Sequence, residues 1–272
     1  MSEAGKLFVV ATPIGNLADL SPRAAAVLAE VDVIAAEDTR VTRKLLDRVG
    51  VAAKLLSYRD ANERRLAPKL VARLLEGEVI ALVSDAGTPC ISDPGYRLVS
   101  AAQAAGIEVV AIPGPSTVTA FLSVCGLPTD RFAFEGFAPR TGRKRALGAF
   151  LGSGTTLVLY ESPRRVIGLL GDIAEVMGDC NVAVGRELTK LHEEVLCGTA
   201  REIATSLGER DSVKGEVVVA VDTRTATVSA TETVRDEEIL AMLDQGLSAR
   251  DVASDLKDRG VTRQRVYTLA RK

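Results

Sequence analysis

The chain has 272 residues, 47% hydrophobic and 26% charged, with a net charge of −2. That length accommodates two medium domains and a small appendage, and the near-neutral charge excludes nucleic-acid binding by bulk electrostatics, leaving only local patches. One histidine excludes a His-rich metal centre and a pair of acid–base histidines, and four scattered cysteines indicate neither a zinc site nor a disulfide framework.

In chain order, Leu7-Phe8-Val9-Val10 predicts a strand near 6–11 that ends in the turn-rich Ala11-Thr12-Pro13-Ile14-Gly15-Asn16. Ser21-Pro22 opens a helix with a cap and a first-turn proline. Strands follow near 32–36, 54–57, 79–83 and 108–112. Leu66, Leu70, Leu74 and Leu75 form the apolar stripe of a helix between them. The run Val79–Val83 ends in Ser84 through Gly95, too dense in Gly, Pro, Ser and Asp to continue as strand or helix. Within it, Asp93-Pro94 predicts an N-cap and a helix near 94–105. Val109–Ile112 ends in Pro113-Gly114-Pro115-Ser116, and Ser116 opens a helix to Val124. Strands alternating with helices predict an α/β unit with a mainly parallel sheet over residues 1–125.

From 126 the pattern changes. Phe132, Phe134 and Phe137 alternate in a short strand, where they could stack on a base although alternating Phe predicts core, and the basic Arg140, Arg143, Lys144 and Arg145 follow. Strands near 155–160, 182–186, 193–197 and 216–221, with helices near 163–177 and 200–208, predict a second α/β domain over 126–224 with a mixed sheet. Thr199 with Glu202 fits a capping box. A Thr-rich linker, 223–233, leads to three short helical patterns over 234–272. Leu240, Leu243, Val252, Leu256, Val266 and Leu269 supply their core. Their basic end, with Lys257, Arg259, Arg263, Arg265, Arg271 and Lys272, is compatible with a helix-turn-helix module or with a helical cap on the body. Each cysteine lies in or beside an apolar stretch, which predicts reduced, buried thiols. No apolar run reaches the ~18 residues of a membrane span, and no secretory signal precedes the first strand, so a cytoplasmic protein is expected.

The chain lacks a Gly-x-x-x-x-Gly-Lys loop, a Gly-x-Gly-x-x-Gly turn after the first strand and a Gly-x-Ser-x-Gly elbow. What remains is three rigid loops at strand ends, which predict one ligand site at the carboxyl edge of the parallel sheet. Gly114 permits close approach to the backbone, the N–H groups at Ser116 and Thr117 suit a carboxylate, and Asp85 suits an amine or a ribose hydroxyl. Asp93 reads as a cap only, and His192 as a packing or hydrogen-bonding residue.

The blocks Ala11–Asn16, Ala36-Glu37-Asp38-Thr39-Arg40, Ser84–Gly95, Pro113–Ser116 and Gly185–Lys190 with His192-Glu193-Glu194 resemble the ribosomal-RNA small-subunit methyltransferase I family, within the tetrapyrrole-methylase-like (class III) methyltransferases. The resemblance runs over nearly the whole chain and is least distinct in the tail. It implies two α/β domains holding S-adenosylmethionine between them, a homodimer, and 2′-O-methylation of a cytidine ribose in the decoding region of 16S rRNA, free or in the small ribosomal subunit. It implies cofactor contacts from Pro13, from Asp85, Gly87, Thr88, Pro89, Ile91 and Ser92, from Ser116 and Thr117, and near Tyr160 and Leu188. Methyl transfer from a sulfonium needs orientation more than protein chemistry and requires no metal. A ribose hydroxyl benefits from a base, for which Glu161, Glu187 and Lys190 are candidates. Each has a structural reading as well: Glu187 paired with Arg186 or Lys190, and Glu161 capping the turn at Ser162-Pro163. RNA phosphates would meet Arg140, Arg143, Lys144 and Arg145 and the last helix with Arg263 and Arg265. Two other readings stay open at this point: a tetrapyrrole (uroporphyrinogen or precorrin) methyltransferase, and a non-enzymatic nucleic-acid-binding regulator.

Overall fold

A computed structural model describes residues 4–227, 236–256, 261 and 263–270. Five strands form the first sheet: β1 (Lys6–Val10), β2 (Val33–Ala36), β3 (Leu55–Ser57), β4 (Ile80–Val83) and β5 (Glu108–Ile112). All pair in parallel, in the order β3-β2-β4-β1-β5. Parallel strands need crossovers, here α1 (Pro22–Glu30), α2 (Thr39–Val49), α3 (Asp60–Leu75) and α4 (Tyr96–Ala104). Ser21 caps α1, its Oγ accepting from Ala24 N at 3.1 Å, a contact worth ~1 kcal/mol.

Helices cover both faces of this sheet, so its strands are apolar throughout rather than alternating. On one face α3 and α4 bury Leu70, Leu74, Leu98 and Ala102 against Leu7, Ala35 and Leu82. On the other, α1 and α2 bury Leu28 and Leu46 against Val10, Ile34 and Val83. The carboxyl ends of the adjacent strands β4, β1 and β5 bring the three loops singled out in the sequence side by side.

The second sheet holds β6 (Phe132–Phe137), β7 (Thr156–Glu161), β8 (Asn181–Arg186), β9 (Glu194–Thr199) and β10 (Val217–Asp222), in the order β6-β7-β10-β8-β9. Only β6 and β7 are parallel. One face packs on α6 (Arg143–Gly148), α7 (Val166–Met177) and α8 (Ala200–Gly208). The other receives α5 (Thr117–Val124), whose Val118, Phe121 and Leu122 pack on Val158, Ala183 and Val218. Although α5 follows the first sheet in sequence, its apolar side is buried against the second. It thereby ties the two sheets together at the loop that precedes it.

The last helices, α9 (Asp236–Asp244), α10 (Ala249–Asp255) and α11 (Arg263–Leu269), bury Ile239, Val252, Leu256, Val261, Val266 and Leu269 together. Among the described residues no helix is long and apolar enough to cross a membrane. Lys257, Arg259, Arg271, Lys272 and linker residues 228–233 lie outside the described residues.

Several expectations are corrected. Leu240 is exposed, and Ile239 takes its place in the small core. Leu75 is half exposed, because the α3 stripe turns away from the sheet at its last residue. Phe132 and Phe137 are 47% and 65% exposed rather than core. A register shift between Phe134 and Phe137 puts Phe137 beside Tyr160, with ring centroids 5.5 Å apart. Cys125 and Cys180 are buried, but Cys197 is exposed on β9. His192, expected to pack or to hydrogen-bond, lies exposed and so does not pack. The helix expected from Pro94 starts at Tyr96 with Gly95 as its N-cap residue and no side-chain cap, so Asp93 does not cap it.

Candidate functional site

The loops after β1, β4 and β5 are stitched to one another by backbone and hydroxyl groups. Thr12 and Gly87 form an isolated antiparallel bridge. Thr12 Oγ1 donates to Ser84 O at 3.3 Å, and Thr88 Oγ1 donates to Pro115 O at 3.0 Å. Ser116, the N-cap residue of α5, makes no side-chain cap bond, so its hydroxyl and the first N–H groups of the helix are open to a ligand.

Across from these loops stand the end of β7 (Tyr160, Glu161) with Ser162-Pro163, the end of β8, and the start of β10. Between the two sets lies a cavity of about 290 Å³ whose lining includes Gly87, Thr88, Ile91 and Ser92 from one side and Tyr160, Gly185, Leu188 and Val218 from the other. Its volume suits a small organic ligand rather than a macromolecule.

The two sides approach closely. A Cβ added to Gly15 would come within 2.5 Å of Lys190 Cγ and 3.0 Å of Leu188 O, so only glycine fits there. Among the described residues, the non-glycine residues with positive φ are Cys90, Ser92, Glu187 and Thr189. All four sit in the loop after β4 or the loop after β8, which face each other across the cavity. Such conformations cost roughly 1–3 kcal/mol each and persist where the surrounding structure holds them.

Gly87, Thr88, Ile91, Ser92, Ser116, Thr117, Tyr160 and Leu188, all singled out in the sequence, come together on the cavity wall. Pro13, Asp85 and Pro89 do not line it. Asp85 instead braces the loops: its Oδ1 accepts from Asp38 N at 2.8 Å. Asp93, Phe137, Ser162 and Glu216 also line the cavity, none of them singled out in the sequence as a cofactor contact. Asp93 was hidden because Asp-Pro has a ready local explanation as a helix start. Phe137 was hidden because its bulge is not visible in an alternating pattern.

The charged groups divide by what holds them. Burial pushes the Asp93 carboxyl up to about 6, with the Glu37 charge adding to the rise and hydrogen bonding from the Ser84 hydroxyl opposing it. Asp93 is therefore a cavity acid held above the ordinary carboxyl range. Glu161 is 1% exposed, and its Oε1 accepts from Ser162 N at 2.7 Å. Its Oε2 stands 2.9 Å from Arg165 and 3.7 Å from Arg143, in ionic contact without hydrogen-bond alignment. Glu187 and Lys190 pair at 2.9 Å outside the cavity wall, and Glu187 also accepts from Glu216 N at 2.9 Å. The bond from Lys190 holds the Glu187 carboxyl below its usual range. Burial acts to lower Lys190, but its bonds to Glu187 and Glu216 outweigh this and raise it. Neither of the pair is poised to take a proton.

The basic stretch is also partly committed. Arg143 binds Asp172 and donates to Gly168 O at 2.9 Å, and Lys144 pairs with Glu175 at 2.5 Å. Arg140 and Arg145 are exposed, as is Arg263, whereas Arg265 pairs with Asp236 at 2.6 Å.

Solved structures of similar shape define the class of fold. A uroporphyrin-III-C-methyltransferase from Thermus thermophilus superposes with a TM-score of 0.58 at 22% identity, over 81% of this chain and 96% of that one. A diphthine synthase superposes with a TM-score of 0.61 at 19% identity, over 79% and 88%. The family described as Tetrapyrrole (Corrin/Porphyrin) Methylases matches residues 6–204. Proteins named ribosomal RNA small subunit methyltransferase I are more alike still. That of Xylella fastidiosa is 45% identical over 98% of this chain and 99% of its own length, and that of Mesorhizobium japonicum 45% over 96% and 90%. That of Escherichia coli O157:H7 is 48% identical over 80% and 78%. The chain belongs to the tetrapyrrole methylase family and, within it, to the ribosomal RNA small subunit methyltransferase I group.

Proposed function

We propose that this protein uses S-adenosylmethionine to methylate the ribose 2′-hydroxyl of a cytidine in the decoding region of 16S rRNA, as a cytoplasmic homodimer. The observation that carries this reading is 45% identity over 99% of a relative named for ribosomal RNA methylation. We propose as its working parts an N-terminal domain over 1–125, a second domain over 126–224 and a tail module over 234–272.

The cavity residues fit the cofactor. Apolar Ile14, Ile91, Leu188 and Val218 suit an adenosyl group, and the open N–H groups at Ser116 and Thr117 suit a carboxylate. Asp93 suits a nearby cation. Bound there, the cofactor supplies a methyl group on a sulfonium. The protein's part is to orient that group, exclude water and accept a proton. Ser92 and Phe137 both line the cavity, and Phe137, 65% exposed, offers a face on which a base can stack. Asp93, poised near 6, is the group we assign to accept the hydroxyl proton. Glu161, held by two arginines, keeps the end of β7 in place.

The test is methyl transfer from labelled cofactor to small ribosomal subunits and, in parallel, to uroporphyrinogen. Label in a cytidine ribose of the 16S rRNA is the expected result. Label only in the macrocycle would make this a tetrapyrrole enzyme. Label in neither, with no cofactor binding by calorimetry, would end the methyltransferase reading.

A further inference from the structure

Residues 38–73 carry ten Arg and Lys against four Asp and Glu, a net +6 in a chain of net −2, so the remainder carries −8. In the second half of the chain several arginines are held by acids, Arg143 by Asp172, Arg186 and Arg210 by Glu194, Arg201 by Asp179 and Arg224 by Asp222, while Arg140, Arg145 and Arg263 are exposed. Within 38–73 only Arg40 and Arg73 have such partners, Asp38 and Glu78. Lys44, Arg48, Arg64, Arg65 and Lys69 are exposed and have no ion-pair partner among the described residues.

The fold gathers these cations into one surface. β3 is the edge strand of the first sheet, with α2 on one face and α3 on the other. The two helices straddle that edge and Lys54, exposed, precedes it, so the positive rim wraps around the side of the sheet. The rim also leads to the site. The N-termini of α2 and α3 lie at the carboxyl edge: Asp38 N donates to Asp85 in the loop after β4, and Arg59 Nε donates to Glu37 O at 3.0 Å.

We propose that this rim around β3 is the docking surface for the phosphate backbone of the substrate RNA. The inference rests on the rRNA reading above and states where that substrate is held. A run of point charges free of protein partners, spread over about two helices, matches a polyanion and reads no sequence. The closing geometry is economical: strands of RNA lying along α2 and α3 pass the carboxyl edge, where the cavity opens. The basic stretch of α6 contributes less, because Arg143 and Lys144 are already occupied.

The test uses the full-length protein with Lys44→Gln, Arg48→Gln, Arg64→Gln and Arg65→Gln combined. Binding to 16S rRNA and to small subunits is measured across a salt series, beside calorimetry with S-adenosylmethionine. The expected result is a rise of at least about tenfold in Kd for both RNAs and a salt slope flatter by about 3, with cofactor binding unchanged. A second variant, Lys44→Arg with Arg48→Lys, Arg64→Lys and Arg65→Lys, keeps wild-type affinity. Wild-type binding by the Gln variant, while the wild-type enzyme methylates subunits normally, overturns the inference and leaves the rRNA reading standing. Lost binding to subunits but not to naked 16S rRNA overturns it in favour of a ribosomal-protein contact. Failure of the wild-type enzyme to methylate subunits sinks the underlying reading instead.

Discussion

Thr12 and Gly87 exchange both backbone hydrogen bonds, Thr12 N to Gly87 O at 2.9 Å and Gly87 N to Thr12 O at 3.0 Å. They do so beyond the ends of β1 and β4, two neighbouring parallel strands, and so the bridge is antiparallel where the sheet is not. The reversal requires Gly87 at φ +80°, where a Cβ would also meet Ile14 Cγ2 at 3.4 Å. Gly87→Ala is expected to cost about 1–2 kcal/mol from the left-handed backbone. Because Gly87 and Ile14 both line the cavity, cofactor affinity should fall as well. Denaturant unfolding and calorimetry check both, and an alanine variant as stable as wild type would show that the loop relaxes out of the bridge.

Asp93 links burial to pH. Its folded value, about 6, lies above the ordinary 3.8, so the native state holds the proton through that window while the unfolded chain has released it. Stability from this group is therefore lost as pH rises from about 4 to 6. Asp93→Asn should be more heat-stable than wild type above pH 6, with the difference gone below about pH 4. If Asp93 accepts the hydroxyl proton, the wild-type methylation rate rises with pH through about 6, and Asp93→Asn loses that limb along with ~10²-fold or more in kcat. Glu37 and Asp85 press on the same carboxyl, so Glu37→Gln should move the limb to lower pH.

Glu161 gives the contrasting case, a cavity carboxylate packed against two arginines. It is 1% exposed beside Arg165, itself 30% exposed. Removing one partner of a buried pair leaves the other uncompensated, at about 3–5 kcal/mol. Arg143 stands 3.7 Å away and shares the charge, so Arg165→Ala is expected at the lower end, about 3 kcal/mol, and the double change with Arg143→Gln beyond it. Thermal melts of the three proteins decide. A melting temperature unchanged in Arg165→Ala would mean that Arg143 alone suffices.

Most of the scaffold was legible because the signals were local. Five apolar runs separated by helical stripes give a parallel sheet, and Ser21-Pro22 and Thr199 with Glu202 mark helix starts that the structure contains. The loops of the site were legible for the same reason: Gly and Pro at strand ends have few other uses. Long-range pairings were not. Nothing in Glu161 or Arg165 alone shows that one buries beneath the other, and Arg143 looked like a free cation because its partner Asp172 lies on a different helix. Asp93 had a sufficient local explanation, and only the placement of Gly95 at the helix start removed it. The packing of α5 on the far sheet depends on a surface, Val158 with Ala183 and Val218, assembled from three strands distant in sequence.

Glu194 supplies an acid-side prediction away from the cavity. Arg210 grips both of its oxygens at 2.8 Å and Arg186 a third time at 3.0 Å, tying β9 and β8 to the segment after α8. These bonds, Arg210 first, hold the carboxyl down to about 2 against an ordinary 4.5. For a carboxylate depressed in the folded state, the unfolded chain binds the proton first, so the stabilisation is complete above about pH 5 and drains away as pH falls towards 2. The side chain is 27% exposed, so screening reduces the full linkage value to about 1–2 kcal/mol. Glu194→Gln should lose that amount at pH 7 and nothing further on acidification, so its unfolding curve converges on wild type near pH 2. Parallel curves down to that pH would mean that the two arginines find other partners once the carboxylate is gone.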